Sequence, residues 1–204
     1  MHDDPVSVAP DKAALRRQLR RARAGVAEEI RRFAGGRVMR LALRAGLLAR
    51  DRRVAFYMPA KGEMDVLPLL NQALWMQVAC YLPIVPHHRQ RRLWFSRLGD
   101  GPHWTLNRYD IPEYGKQHRK VRALWLDVVF LPLIGFDMRG YRMGMGGGYY
   151  DASLAYLKHR RVWKRPRLVG IAFEAQKCQR IPNDPWDVPL DMVITEARYY
   201  RFRR

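Results

Sequence analysis

The sequence has no long apolar run. Nothing in its 204 residues approaches the roughly 18–20 consecutive apolar residues that a membrane-spanning helix needs. The opening stretch MHDDPVSVAPDK also lacks the apolar core of a secretory signal. We therefore expect a cytoplasmic protein with no membrane partner.

Cysteine is scarce, and no nucleophile motif is visible. Cys80 and Cys178 lie far apart and form no CxxC pair, so we interpret both as buried or half-buried thiols in a reducing compartment. No Ser-His-Asp or Cys-His constellation is present. His87, His88 and His103 fit no metal-binding spacing, and we expect no metal at these histidines.

Acidic residues are few compared with basic ones. The chain has 19 Asp and Glu against 38 Lys and Arg, which gives a formal net charge of +19. Such an excess favours polyanionic partners: nucleic acid, anionic membrane or phosphorylated small molecules. It does not choose among them. Because the arginines are scattered from end to end, a solvated basic surface without a partner explains the composition equally well.

Helical patterns dominate the first quarter of the chain. Leu15 and Leu19 share one face of a helix predicted over 11–23, and Asp11 is its expected N-cap. A second helix is predicted over 28–48, with a kink or break at Gly35-Gly36. We expect residues 1–10 to be a flexible arm and residues 11–204 to form a single α/β domain.

Strands and helices then alternate, which favours a parallel sheet. Residues 86–120 mix turn residues, charge and aromatics, so we expect a hairpin excursion there, with short strands near 92–98. The final segments DVPLDMVITE and ARYYRF are expected to be edge strands. The other predicted elements are strands over 53–59, 78–85, 127–132 and 167–173 and helices over 67–77 and 149–160.

The stretch RMGMGGGYYD, which begins at Arg142, places four glycines within five residues between a predicted strand and a predicted helix. Glycine permits positive φ and lets an oligoanion approach main-chain N–H groups. Arg139 and Arg142 precede the loop as possible partners of phosphate oxygens. Asp151 follows in the first helical turn, where it would repel a phosphate unless a cation such as Mg²⁺ bridges the two.

The glycine loop matches neither common nucleotide motif. It lacks the GK[ST] of a Walker A sequence, and a Rossmann GxGxxG would follow the first strand. The competing interpretation is a glycine-rich turn on which Tyr149 and Tyr150 merely pack, while Asp151 complements the helix dipole.

A longer pattern resembles a known family. The run from Phe136-Asp137 to Tyr149-Tyr150-Asp151 is similar to the signature of the 5-formyltetrahydrofolate cyclo-ligase (5,10-methenyltetrahydrofolate synthetase) family. Further similar segments, in the family's order, are an N-terminal Lys12-x-x-x-Arg16, YMPAKGEMDVLPLL, YDIPEY and DPWDVPLDMVIT. The resemblance covers about residues 11–196.

The resemblance implies a fold and an activity. The fold is three layers, α/β/α, around a mostly parallel central sheet. The activity is conversion of 5-formyltetrahydrofolate to 5,10-methenyltetrahydrofolate, with ATP as co-substrate, Mg²⁺ as cofactor, and ADP and phosphate as products. The expected partners are therefore the small-molecule folate and ATP, without specific nucleic-acid binding, and we expect a monomer.

The resemblance also implies roles for individual residues. Catalysis would involve Arg142, Tyr149 and Asp151, and Mg²⁺ would be held by Asp151 and Asp187. ATP would contact Lys12, Arg16, Arg142, Met143, Gly144, Met145, Gly146, Gly147, Gly148, Tyr149 and Tyr150. Folate would contact Met58, Glu63, Met145, Gly146, Gly147, Gly148 and Tyr149.

Two positions depart from the family pattern, and several have simpler interpretations. Tyr114 stands where the family often has proline, and Gly147 where some members carry lysine. Taken alone, Glu63 could be an ordinary first-turn glutamate, and Asp187 could form an Asx turn before Val188-Pro189. Taken alone, the spacing of Lys12 and Arg16 favours a solvated helix face.

Two other functions remain open at this point. One is a basic RNA-binding protein, in which Trp94, Phe95, Trp104 and Tyr109 would stack on bases. We expect those aromatics instead to cover the pteridine or to pack the hairpin. The other is a sugar-phosphate isomerase or CoA-transferase relative, which would need a catalytic carboxylate away from any ATP loop.

Overall fold

The computed structural model describes residues 11–86, 90–99, 103–115, 120–159 and 165–202, so the predicted arm at 1–10 lies outside the described residues. The helices in these ranges are α1 Lys12–Ala24, α2 Glu28–Arg44, α3 Leu67–Trp75 and α4 Tyr149–Leu154. The strands are β1 Arg53–Ala55, β2 Ala79–Ile84, β3 Trp94–Arg97, β4 Trp104–Leu106, β5 Pro112–Tyr114, β6 Lys120–Val121, β7 Val128–Pro132, β8 Gly135–Phe136, β9 Arg142–Met143, β10 Arg167–Ile171, β11 Met192–Ile194 and β12 Tyr199–Arg201.

Eight strands form the central sheet, in the order β12-β11-β10-β7-β1-β2-β3-β6. The strands from β11 to β2 in this order run parallel, and β12, β3 and β6 add antiparallel edges. The chain passes from β1 outward to β2 and then returns to β7 on the other side of β1. Such a reversal leaves a crevice outside the carboxyl ends of β1 and β7.

Side chains alternate between the two faces of this sheet. Val54 and Val128 join a buried cluster with residues of α2 and α3. Their neighbours Ala55 and Val129 join a second cluster with Leu154 of α4. Burial on both faces is why the central strands have near-continuous apolar sequences. The predicted three-layer α/β/α architecture is confirmed.

Helix α1 lies against the carboxyl edge of the sheet. Leu15 and Leu19 form a small buried cluster with Ile134, just before β8, and Met143 of β9. The Asp11 carboxylate accepts the main-chain N–H of Ala13 at 2.9 Å and of Ala14 at 3.2 Å, so the predicted N-cap is confirmed. The capped end of α1 thereby starts beside the crevice.

The predicted break at Gly35-Gly36 is wrong, because α2 continues without interruption from Glu28 to Arg44. Gly35 is buried, and a Cβ built on it would lie 2.7 Å from the Asp65 carbonyl oxygen and 3.1 Å from Pro68 Cγ. The missing side chain therefore permits close packing of α2 against the start of α3. Tertiary contact outweighs the low helix propensity of glycine here.

The ends of the predicted elements also need correction. Helix α4 ends at Leu154 and continues as a 3₁₀ turn, Ala155–His159. Strand β11 is paired on both sides, with β10 and β12, so only β12 of the predicted closing pair is an edge. Strand β3 belongs to the main sheet, and the hairpin excursion is formed by β4 and β5.

Tyr114, which departs from the family pattern, anchors this hairpin. Its ring is fully buried and meets Trp104 edge-on, with centroids 5.2 Å apart. Its hydroxyl donates to the Gly99 carbonyl at 2.9 Å. The side chain therefore ties the β4–β5 hairpin to the main body.

In the described ranges, none of the helices is both long and apolar enough to cross a membrane.

The two adjacent glycines of α2 give a matched test of packing against propensity. Gly35→Ala should lower the free energy of unfolding by about 1–3 kcal/mol, because its methyl group collides with the Asp65 carbonyl. Gly36→Ala should raise it by about 0.5–1 kcal/mol, because the nearest atom to that Cβ is Arg40 Nη1, 3.7 Å away. Urea unfolding of both variants measures the difference. Equal stability of the two would contradict the close approach of α2 to residues 65–68.

Candidate active site

A cavity of about 430 Å³ opens where the chain reverses between β1 and β7. Tyr57 and Met58 line it just after β1, Pro83 lines it from β2, and Pro132 from the end of β7. This is the size and position of a small-molecule site in a parallel α/β sheet. Every residue to which the family resemblance gives a role lines this one cavity, namely Lys12, Arg16, Met58, Glu63, Arg142, Met143, Gly144, Met145, Gly146, Gly147, Gly148, Tyr149, Tyr150, Asp151 and Asp187.

The glycine loop presents its main chain to the cavity. Residues 144–148 are all exposed, and Gly146 and Gly148 have φ of +107° and +65°, values that disfavour other residues. A Cβ built on Gly147 would lie 2.7 Å from the Tyr149 ring. The Tyr149 ring therefore rests on Gly147. In this conformation a larger residue at 147 would displace that ring.

The buried carboxylate of Asp137 organises the chain on both sides of this loop. Its side chain has no exposed surface and accepts the main-chain N–H of Arg139, Tyr141 and Ile181 at 2.9, 3.1 and 2.9 Å. The Arg139 guanidinium donates to the same carboxylate at 2.7 Å and to the Ile181 carbonyl at 2.6 Å. Asp137 thus fixes the turn before β9 and the segment after Ile181. Arg139 serves this network and does not line the cavity.

Arg142 connects β9 to the two segments that carry the predicted metal ligands. Its side chain is only 6% exposed. It donates to the Val188 carbonyl at 2.6 Å and to Asp151 Oδ1. Asp151 therefore has a cationic partner in the protein itself, and its Oδ2 receives no hydrogen bond from any described residue.

The first turns of α1 bring two cations to the same cavity. Lys12 donates to Asp184 Oδ2, and Arg16 Nε donates to the Gly144 carbonyl at 3.4 Å. Asp187 Oδ2 accepts the main-chain N–H of Asp184, three residues before it, at 2.7 Å. This is not the Asx turn considered for Asp187, which would bond the N–H two residues on, where Pro189 has none. Asp187 Oδ1 remains without a partner in the described part of the chain.

Glu63 lies on another wall of the cavity and is 9% exposed. Its Oε2 accepts the main-chain N–H of Ala60 at 3.0 Å. Burial raises the pKa of the Glu63 carboxyl, and the Ala60 amide and the Arg23 guanidinium oppose that rise. Burial also raises the pKa of the neighbouring phenols, Tyr57 and Tyr150, which therefore stay protonated.

The tip of the β4–β5 hairpin reaches over the glycine loop. The hydroxyls of Tyr109 and Tyr149 lie 3.2 Å apart, and Arg108 donates to the Tyr149 hydroxyl. The hydrogen bond with Tyr109 raises the pKa of Tyr149. Of the aromatics expected to cover the site or pack the hairpin, Tyr109 lines the cavity, Phe95 is in the core and Trp104 packs on Tyr114.

The cavity walls carry more acid than base. Three cations, Lys12, Arg16 and Arg142, face five carboxylates there: Glu63, Glu113, Asp151, Asp184 and Asp187. A phosphate group would meet repulsion from this set unless a divalent cation accompanied it. The free oxygens of Asp151 and Asp187 are hard donors of the kind that Mg²⁺ prefers. The described ranges contain no group of three or more His, Cys, Asp or Glu side chains that could hold a metal ion.

Sequence reasoning missed two residues of the site. Asp184 lines the cavity, and Arg23 lies behind its wall, 3.9 Å from Glu63. Asp184 had a usable signal, since it lies three residues before Asp187 in the same family segment. Arg23 had none, because it is one of many arginines on α1.

The reversal of strand order, the cavity at the carboxyl edge and the exposed glycine loop define an α/β protein with a small-molecule-sized cavity at this edge. The chain belongs to the 5-formyltetrahydrofolate cyclo-ligase family, whose sequence profile matches residues 8–196. The predicted resemblance is confirmed.

Individual relatives agree with this assignment. The 5-formyltetrahydrofolate cyclo-ligase of Escherichia coli K12 is 33% identical over 150 residues, which cover 73% of this chain and 80% of that protein. The cyclo-ligase of Haemophilus influenzae is 33% identical over 181 residues, with 86% and 92% covered. The chain is therefore similar to enzymes over most of its length and most of theirs.

Solved structures support the fold. The solution structure of Aquifex aeolicus 5,10-methenyltetrahydrofolate synthetase matches with a TM-score of 0.76 at 29% identity, covering 95% of this chain and 93% of that one. The Mycoplasma pneumoniae 5,10-methenyltetrahydrofolate synthetase matches with a TM-score of 0.66 at 24% identity, covering 91% and 99%. The second match shows a common fold.

Asp137→Asn should lower the free energy of unfolding by about 3–5 kcal/mol, because an amide cannot accept all the N–H groups that converge on this buried carboxylate. Urea unfolding monitored by circular dichroism measures the loss. The control is Asp51→Asn, at an exposed carboxylate, which should change stability by no more than about 0.5 kcal/mol. Equal unfolding midpoints for the two variants would show that Asp137 is not the organising group.

Proposed function

We propose that this chain converts 5-formyltetrahydrofolate to 5,10-methenyltetrahydrofolate in a reaction that consumes ATP and requires Mg²⁺. The observation that carries the proposal is the convergence on one cavity of the exposed glycine loop, the cations Lys12, Arg16 and Arg142, and the buried carboxylate Glu63. Membership of the cyclo-ligase family supports the same reaction.

The reaction must first activate the formyl group. A formamide is a poor electrophile, and its oxygen is a poor leaving group. Attack of that oxygen on the γ-phosphorus of ATP gives an imidate-like phosphate and releases ADP. N10 of the same folate then attacks the formyl carbon and gives up its proton, and the C–O bond breaks as phosphate leaves and the ring closes.

Phosphoryl transfer asks the protein mainly for alignment and positive charge. We propose that the main-chain N–H groups of residues 144–148 hold the terminal phosphates of ATP. Lys12, Arg16 and Arg142 would neutralise the charge that develops on them. Arg142 is well placed for this role because its contacts with Val188 and Asp151 fix its direction.

Asp151 and Asp187 would hold the Mg²⁺ through their unpartnered oxygens, with phosphate oxygens and water as the remaining ligands. The bound ion would supply further charge neutralisation to the phosphates. Asp151 also stays in contact with Arg142, so the carboxylate can keep the guanidinium oriented.

Glu63 and Met58 would bind the pterin. An ionised carboxylate has lone pairs for two adjacent donors, which matches the amino and ring N–H groups of a pterin. Tyr109 and Tyr149 would cover the open side, since their hydroxyls meet across the cavity mouth.

The reaction is tested by mixing the purified protein with ATP, Mg²⁺ and 5-formyltetrahydrofolate and following the near-UV absorbance of the methenyl product. Asp151→Asn should reduce turnover about 100-fold or more, because it removes a metal-holding charge. Raising the Mg²⁺ concentration should recover part of the loss. Asp51→Asn is the control and should keep full activity.

Absence of product with the unmodified chain would contradict the proposed reaction. Full activity of Asp151→Asn at low Mg²⁺ would contradict the metal assignment alone. Circular dichroism spectra of the variants confirm that each is folded before its kinetics are compared.

A further inference from the structure

Glu63 has a charged neighbour that lies behind it and does not line the cavity. The Arg23 Nη1 atom of α1 is 3.9 Å from Glu63 Oε1, and the two side chains are only 11% and 9% exposed. Arg23 Nη1 is buried and has no hydrogen-bond partner in the described part of the chain. Glu63 Oε2, by contrast, is bonded to the Ala60 amide. The Arg23 guanidinium therefore acts on Glu63 as a nearby charge.

The fold places Arg23 there in spite of unfavourable surroundings. Burial and the positive charges of Arg20 and Arg31 lower the pKa of Arg23, and Glu63 opposes them. Arg31 fixes the chain around the pair by donating to the main-chain carbonyls of Arg23 and Val26. A guanidinium stays protonated in proteins, so the positive charge is retained at this buried position.

We infer that Arg23 is a positioning residue for the folate. It keeps the Glu63 carboxylate at the cavity wall ionised, so that Glu63 can accept hydrogen bonds. This inference rests on the proposed function, in which the Glu63 carboxylate accepts hydrogen bonds from the pterin. Arg23 itself touches neither substrate nor reacting atoms.

The inference has a definite pH signature. Glu63 is faced by Arg23 of α1, by Tyr57 after β1 and by Tyr150 of α4, and both phenols are neutral. Burial raises the pKa of Glu63, and Arg23 opposes that rise. Removing Arg23 must therefore raise this pKa further. Folate binding needs the ionised carboxylate. As the pH is lowered, the variant without Arg23 should therefore lose folate binding at a higher pH than the unmodified protein does.

A purely structural ion pair predicts a different result. Buried pairs often add little net stability, and loss of one partner disturbs the site at every pH. Substitution of a structural Arg23 would weaken folate binding by the same factor across the pH range. The shape of the pH profile therefore separates the two roles.

The experiment compares Arg23→Met, which keeps an unbranched side chain but removes the charge, with Arg23→Lys, which keeps the charge. Calorimetry without ATP measures the affinity for 5-formyltetrahydrofolate between about pH 5.5 and pH 8.5. Arg23→Met should weaken binding about tenfold or more at the acidic end and much less at the alkaline end. Arg23→Lys should show the same pH profile of folate affinity as the unmodified protein. The profile of the unmodified protein also serves as the control for titration of the folate itself.

The matched control is Arg17→Met, which removes one positive charge from an exposed position of the same helix. It should leave the folate profile unchanged. A profile of Arg23→Met that coincides with that of the unmodified protein, or lies parallel to it at all pH values, would overturn the inference. Failure of Arg23→Lys to bind better than Arg23→Met at the acidic end would also overturn it.

Glu63→Gln separates this inference from the function on which it rests. If Glu63→Gln binds folate as well as the unmodified protein, the proposed pterin contact fails. If Glu63→Gln binds folate weakly but Arg23→Met behaves like the unmodified protein, only the role of Arg23 fails. In the Glu63→Gln background, Arg23→Met should no longer change the pH dependence, because no carboxylate remains to be kept ionised.

Discussion

The site depends first on the buried carboxylate of Asp137. Three main-chain N–H groups and one guanidinium converge on it, from the turn before β9 and from Ile181. A buried charge is tolerated only when it is so fully bonded. The same bonds tie the turn before the glycine loop to the segment that leads to residues 184–188. The positions of these two cavity walls therefore depend on Asp137.

Paired charges are the second constraint on the cavity. Lys12 meets Asp184, Arg142 meets Asp151, and Arg23 faces Glu63. Each pair joins elements that are distant in sequence or separated by the glycine loop. In the proposed reaction, the phosphates and Mg²⁺ would engage members of the first two pairs, whereas the third would remain intact behind the pterin. The cavity is thus organised before any ligand arrives.

Local patterns in the sequence predicted where helices and strands form. Contacts between distant segments decided features that those patterns do not show. The Asp11 cap and the apolar face of α1 are local features, and both were predictable. The uninterrupted α2 was not, because the cost of Gly35 within a helix is outweighed by packing on residues 65–68. The family motif predicted cavity residues as far apart as Lys12, Glu63 and Asp187, but Asp184 in the same segment as Asp187 was missed. Arg23 was also missed, because it is one of many arginines on α1.

The contacts of α1 also bear on how the chain is assembled. Lys12 and its partner Asp184 are separated by 172 residues, and Arg16 and its partner Gly144 by 128. During synthesis on the ribosome, α1 is made long before either partner, so these contacts cannot form until the later segments have been released. Long-range contacts of this kind form late, and they make folding slower. The nascent protein therefore cannot complete its ligand cavity until the segment around Asp184 has left the ribosome.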